Sequence, residues 1–367
     1  MKELENLSDI ELLAYKEELS RKVSKYNNIQ TARKLSMNSL FGSLGTKYFR
    51  FYDLRMALAI TLSSQLSIRW IILKINEYMN RVLGTTNEDF ILASDTDSFF
   101  LHLEPLITKV GIDTSDPNKV IEFMDKICKT KIQETINKSY QELADYVNAY
   151  EQKMSMKREA LADKGIWTAK KRYILNVYNN EGIQFKEPHL KTVGLEVIKS
   201  STPNFVRQRM KQLIKLIMTA DEDTVQKFIA NFKSEFRKLS PEDIAFPRGV
   251  NNIQGYSDSR ILYKSGTPIH VKGAILYNDF LIRKGLDKKY PKIQSGDKIK
   301  FIYLKKPNPL KNEVISFPIR LPIEFELHDY IDRDKQFHKT FIDPISVILN
   351  CIGWKSEKTF NLDDFFD

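Results

Sequence analysis

Cysteine is almost missing from this chain of 367 residues: Cys128 and Cys351 are the only two. Two thiols make no disulfide framework and no cysteine-based zinc site. They read as ordinary buried thiols of a reducing compartment. No run of about 18 apolar residues is free of charge, so no membrane span and no membrane partner are expected. The opening residues, Met1 to Asn6, are charged and hold no apolar segment, so no secretory signal is expected and the cytoplasm is the expected location. Internal repeats and low-complexity tracts are missing too.

What is present supports packed cores. The chain is 42% hydrophobic and 11% aromatic, enough for two or three domains at this length. Its formal net charge of +10 favours a polyanionic partner. The 47 acidic residues show that this is no simple basic tail.

The central stretch is Phe90 to Leu103. An apolar run (Phe90, Ile91, Leu92) enters Asp95-Thr96-Asp97, and a second (Phe99, Phe100, Leu101) leaves it. The pattern predicts a β-hairpin with two carboxylates at its tip. Such acids repel each other unless a positive charge lies between them, and a hard divalent cation is the usual solution. A plain solvated turn fits the same residues, because Asp is a favoured turn residue.

Ser8 and Glu11 form a Ser-x-x-Glu capping box that opens a helix. The helical pattern continues to Gly42 and Gly45, both natural terminators. Lys34, Asn38 and Phe41 fall at i, i+4 and i+7 and share one face. A cation, an amide and a ring there can hold a phosphate, bond a base edge and stack a base. The same spacing suits a rim Lys, an Asn near a helix end and a core Phe.

Lys34-x-x-x-Asn38-Ser39-x-Phe41-Gly42, followed by Asp95-Thr96-Asp97-Ser98, resembles the second and third polymerase motifs of family B (alpha-like) DNA polymerases. The likeness continues in order through Phe49–Arg55, Lys170-Lys171-Arg172-Tyr173, Gly194-Leu195-Glu196, Lys199–Pro203 and Asn251-Asn252-Ile253. In that order the motifs resemble the replicative enzymes of T-even-type bacteriophages. The resemblance implies an α+β fold: a palm built on an antiparallel sheet with packed helices, partial helical fingers and a mixed α/β thumb. The implied regions are fingers 1–45, palm 46–193, thumb 194–357 and a clamp-binding tail 358–367.

Local signals agree with this order. Asp53 can cap a long apolar helix ending before Gly84, of a length suited to burial against a sheet. Asp116-Pro117 opens another amphipathic helix that runs through Val147. Strands are expected at Glu159–Leu161 and Tyr173–Tyr178, with a turn at Asn179–Gly182. Lys170, Lys171, Arg172 and Tyr173 stand at a strand's start, where alternation separates Lys171 and Tyr173 from Lys170 and Arg172. Helices follow from Ser201-Thr202-Pro203 and from about Thr224 to Phe236. Ile269–Gly273 and Gly296–Leu304 then read as basic strands. Cations at Arg283, Lys284, Lys288, Lys289, Lys292, Lys305 and Lys306 can neutralise duplex phosphates without reading sequence.

The implied chemistry is template-directed nucleotidyl transfer with two Mg²⁺ ions. By resemblance, Asp97 and Asp95 are the catalytic metal ligands, with Glu159 as a third metal-site acid. Lys34, Asn38 and Phe41 bind the incoming deoxynucleoside triphosphate. Gly42, Lys170, Lys171, Arg172, Tyr173, Asn251 and Asn252 bind primer–template DNA, and Leu362, Phe365 and Phe366 bind a sliding clamp. The exonuclease region, the first finger helix and the first polymerase motif, with its metal-binding Asp, are not among these residues. The expectation is therefore a C-terminal polymerase half whose partner chain supplies them; a truncated fragment would look the same. A non-catalytic DNA- and clamp-binding accessory subunit is the alternative, and a purely structural half a further one. Two departures stand out: Ala93-Ser94 replaces the family's usual Tyr-Gly, and Phe41 replaces its usual Tyr. The lost hydroxyl leads to an expectation of looser base selection.

Overall fold

A computed structural model describes residues 8–358. By its contacts the chain divides into two compact units: 1–112 with 128–157, and 113–127 with 158–367.

The first unit opens with α1 (Asp9–Leu44). Ser8 caps it as expected: its hydroxyl accepts from the Glu11 N–H, and the Glu11 carboxylate accepts from the Ser8 N–H at 2.9 Å. Helix α1 runs through Gly42 and ends at Gly45, and none of its residues is buried. Helix α2 (Leu54–Leu83) is capped by Asp53, whose carboxylate accepts from the Arg55 N–H, and is closed by Gly84 at φ 74°. It differs from the buried helix expected. Its C-terminal half buries Ser67, Ile71, Ile75 and Met79, whereas Leu54, Met56, Leu58, Ile60 and Leu62 are exposed. By length and composition it is also apolar enough to cross a membrane, with a mean hydropathy of 1.5 over an 18-residue window. Every such window contains Arg69, so no 18-residue run of this helix is free of charge.

The hairpin strands β1 (Ile91–Asp95) and β2 (Ser98–Leu101) follow, then α3 (Glu104–Val110). Helix α4 (Pro117–Ile127) belongs to the second unit, and α5 (Gln133–Tyr146) returns to the first. A π-helical stretch, Cys128–Ile132, joins them without a break, so the helix expected here forms but is not α-helical throughout. Helix α5 packs on α2. The Trp70 indole donates to the Ser139 carbonyl at 2.8 Å, and Lys74 pairs with Glu142 at 3.0 Å.

In the second unit β3 (Ala160–Ala169), β4 (Arg172–Asn180) and β5 (Ile183–Val193) form an antiparallel meander. Helices α6 (Asn204–Thr219), α7 (Glu222–Phe236) and α8 (Pro241–Ile244) follow, then β6 (Phe246–Gly249) and α9 (Ile253–Tyr256). A small ribbon, β7 (Ser257–Asp258) and β8 (Leu262–Tyr263), leads to α10 (Ile269–Arg283). Strands β9 (Lys298–Tyr303) and β10 (Val314–Phe317) join β6 in the order β10-β9-β6. The described chain ends with α11 (Arg333–Phe337) and α12 (Asp343–Cys351).

The strand expected at Ile269–Gly273 is the first turn of α10. Its β-branched residues read as strand, but Val271 and Gly273 are buried on a helix that packs against β10. Gly273 makes that approach possible, since a Cβ there would lie 2.4 Å from the Ser316 hydroxyl. The core of this unit includes Phe232, Phe236, Phe337 and Phe341, in mostly edge-to-face contacts such as Phe232–Phe341 at 4.7 Å.

Candidate active site

The hairpin forms as its residues dictate. Asp95 pairs with Ser98 across the strands, so Thr96 and Asp97 make the turn. Thr96 takes φ 57°, and the Asp97 N–H donates to the Asp95 carbonyl at 2.7 Å. Asp95 is half-buried and accepts from the Thr96 hydroxyl at 2.9 Å; Asp97 is exposed. Below the turn, Ala93 and Ser94 stand opposite Phe100 and Phe99. The register shifts between Ile91 and Ala93. Such a bulge re-aims the strand beyond it, here the end that carries Asp95.

Three residues that no motif singled out hold the hairpin's base. The Asn76 amide donates to Asp89 at 2.8 Å, and its oxygen accepts from the Phe90 N–H at 2.9 Å. The Asp89 carboxylate also accepts from the Ile91 N–H at 2.9 Å, and these bonds lower its pKa. One turn along α2, Asn80 accepts from the Glu88 N–H at 3.0 Å and donates to the Glu88 carbonyl at 2.8 Å. Two Asn four residues apart on an apolar helix were the available signal. Tyr140, buried on α5, has its pKa raised by burial first and by the charge of Asp97 second.

On α1, Lys34, Asn38, Phe41 and Gly42 are all exposed. The spacing does put the three side chains on one helix face, and none of them enters a core. In the second unit Lys191 reaches the Glu159 carboxylate at 2.6 Å. No cluster of three or more His, Cys, Asp or Glu side chains able to hold a metal occurs among the described residues.

The basic run differs from its expected geometry. Lys170 and Lys171 are the two-residue turn between β3 and β4, and Lys171 has φ 61°, so strand alternation does not sort them. Arg172 begins β4 and donates to Glu196 at 2.6 Å. Tyr173 lies 6.5 Å from Trp167, centroid to centroid. Asn251 is exposed; Asn252, at φ 55°, starts α9, whose first N–H donates to the Ser295 hydroxyl at 2.9 Å.

The expected phosphate-neutralising cations are largely engaged with acids. Arg283 pairs with Asp279 at 2.7 Å, Lys284 with Glu326 at 3.3 Å and Lys292 with Asp287 at 3.8 Å, and Lys289 pairs with Glu324. A groove beside α9 is self-satisfied too: the Asn278 amide exchanges bonds of 2.9 and 2.8 Å with the backbone of Ile293. Leu362, Phe365 and Phe366 lie outside the described residues.

The family model of DNA polymerase family B matches residues 11–352. The chain belongs to that family. Among curated relatives, the DNA-directed DNA polymerase of Enterobacteria phage T4 is 38% identical over 380 aligned positions, covering all of this chain and 42% of the relative. That of Escherichia phage RB69 is 36% identical over 351 positions, covering 92% of this chain and 38% of the relative. The chain is thus similar to a T-even-type family B polymerase throughout, and it spans about two-fifths of the length of these relatives. The antiparallel sheets and packed helices are the α+β architecture expected of such a portion.

Proposed function

We propose that this chain is the C-terminal polymerase portion of a DNA-directed DNA polymerase, working with a partner polypeptide that carries the exonuclease region and the first polymerase motif. The observation that carries the reading is the Asp95-Thr96-Asp97 hairpin tip, anchored by Asn76 and Asp89, inside a chain that matches family B polymerases end to end. In this reading residues 1–45 are fingers, 46–193 palm and 194–357 thumb, and 358–367 bind a sliding clamp.

The reaction is attack of the primer 3′-hydroxyl on the α-phosphorus of a deoxynucleoside triphosphate, with departure of pyrophosphate. One exposed and one half-buried carboxylate suit a hard cation that keeps oxygen ligands from water and substrate. Asp97 and Asp95 would hold Mg²⁺, Glu159 is assigned as a further metal-site acid by resemblance, and an Asp of the partner chain would complete a two-ion set. When bound, Mg²⁺ supplies charge stabilisation to the phosphoryl oxygens and makes the hydroxyl more acidic. Lys34 places a cation on the triphosphate, and Asn38 and Phe41 shape the space for the nascent base pair. Gly42, Lys170, Lys171, Arg172, Tyr173, Asn251 and Asn252 line the path of the primer–template.

A second reading is a non-catalytic DNA- and clamp-binding subunit. It is compatible with the basic balance of the chain, +10 at neutral pH, which attracts a polyanion whether or not chemistry follows. Primer extension with Mg²⁺, by this chain alone and with a chain carrying the first polymerase motif, separates the two. Extension only with both chains, lost in Asp97→Ala, supports the proposal. Duplex binding without extension in either case selects the accessory reading. Extension by this chain alone overturns the shared site.

A further inference from the structure

Helix α2 changes character along its length. Its C-terminal half buries one stripe, Ser67, Ile71, Ile75 and Met79, as a helix with a single covered face does. Its N-terminal half is apolar on two opposed sides. Leu54, Leu58, Leu62 and Leu66 repeat every fourth residue along one side, and Met56 and Ile60 stand roughly opposite. All six are between 43% and 59% exposed, so neither side is covered. Two hydroxyls between them are already satisfied: Thr61 donates to the Ala57 carbonyl and Ser64 to the Ile60 carbonyl, each at 2.9 Å. They can leave water without losing a partner. A helix that is apolar all round belongs in an enclosed place, and exposed apolar surface of this kind marks an interaction site.

A bilayer, a second copy of this chain or a different polypeptide could cover such a segment. The bilayer fits poorly. Only Met56 to Ile68 are free of charge, bounded by Arg55 and Arg69. That stretch rises about 20 Å, against a hydrocarbon core of about 30 Å. A second copy would lay one stripe against the same stripe and leave the opposite side wet. A large polypeptide can cover both sides, and about three-fifths of each relative's length lies outside its match to this chain. We propose that the N-terminal half of α2, Leu54 to Leu66, is the docking element for the partner polypeptide, which encloses it on both sides. The proposal rests on the reading above that such a partner exists, and adds where that partner binds.

The test is the affinity of this full chain for a chain carrying the first polymerase motif, measured by biolayer interferometry after co-purification. Leu58→Glu and Ile60→Glu put a carboxylate on each of the two sides. Each should weaken the complex by at least about 10-fold, because an unpaired charge is costly to bury. Ile319→Glu, at an exposed residue of the second unit, should leave the affinity unchanged. Affinity within about 2-fold of native in both α2 variants places the partner elsewhere: the proposal falls and the partner reading stands. Loss in only one variant confines the partner to one side and overturns the enclosure. No complex with the unaltered chain removes the partner reading, and this inference with it. A dimer of this chain alone, or binding to neutral phosphatidylcholine vesicles, that Leu58→Glu abolishes assigns the segment to a second copy or to lipid and overturns the proposal too. Should either variant lose its cooperative thermal transition, hydrogen exchange in the unaltered protein decides. Amides of Leu58 to Leu66 that slow when the partner is added support the proposal, and amides that do not change overturn it.

Discussion

Gly194 packs against the carbonyl of Lys171 so closely that a methyl group in place of its hydrogen would stand 2.2 Å from that oxygen. The contact joins two motifs 23 positions apart in sequence, by the numbering of these residues. It also explains why a residue with φ +69° has no side chain. Gly194→Ala should therefore cost about 1–3 kcal/mol, from backbone strain and the clash together. Urea unfolding would show the loss, and an unchanged midpoint would mean that the segment relaxes freely.

Asn76 provides a half-buried link between α2 and the acidic hairpin. Its oxygen is the partner of the N–H of Phe90, a residue only 4% exposed. Asn76→Ala leaves that donor unpaired and should cost about 1–3 kcal/mol. Asn76→Asp keeps the acceptor for Phe90 but sets a second carboxylate against Asp89, so it should cost at least as much. Hydrogen exchange at the Phe90 and Ile91 amides should accelerate in Asn76→Ala; equal protection in both proteins would refute the anchoring role.

Acid should loosen one tether of the second unit. Lys289, first, and Tyr290, at 2.9 Å, help hold the Glu324 carboxyl at about 2, below its ordinary 4.5. A carboxyl depressed on folding stabilises above its unfolded value and loses that contribution as pH falls through the folded one. The loss should run from about pH 4.5 downward to about 2. Unfolding midpoints measured over this range should fall less steeply in Glu324→Gln than in the native protein.

Phe41 is exposed on α1, on the face shared with Lys34 and Asn38. If that face meets the nascent base pair, Phe41→Tyr adds a hydroxyl where the family usually has one. One recovered hydrogen bond is worth about 0.5–1.5 kcal/mol, so misincorporation by the assembled enzyme should drop by about 2- to 10-fold. A misincorporation rate that does not move would remove this residue from base selection.

Much of the local structure was legible because its causes are local. Ser8 with Glu11, Asp53 and Gly84 mark helix ends through bonds made within a few residues. The alternation around Asp95 and Asp97 marks a hairpin for the same reason. The segment Ile269–Gly273 misled because β-branched residues suit both a strand and a fully buried helix. The choice depended on Ser316, some 43 positions later, which the pattern of one segment cannot contain. The partners of Lys284 and Lys289 were hidden for a similar reason: Glu326 and Glu324 come from another part of the chain.

The sequence by itself determined the family, the order of the motifs and the acidic hairpin, since these reside in residue identity and short-range spacing. Tertiary structure alone decided which charges are spent inside the protein and which face outward. It paired Arg172 with Glu196, held the hairpin's base with Asn76 and pressed Gly194 onto Lys171. The physical reason is that ion pairing and close packing depend on distances between segments remote in sequence, and only the folded chain sets those distances.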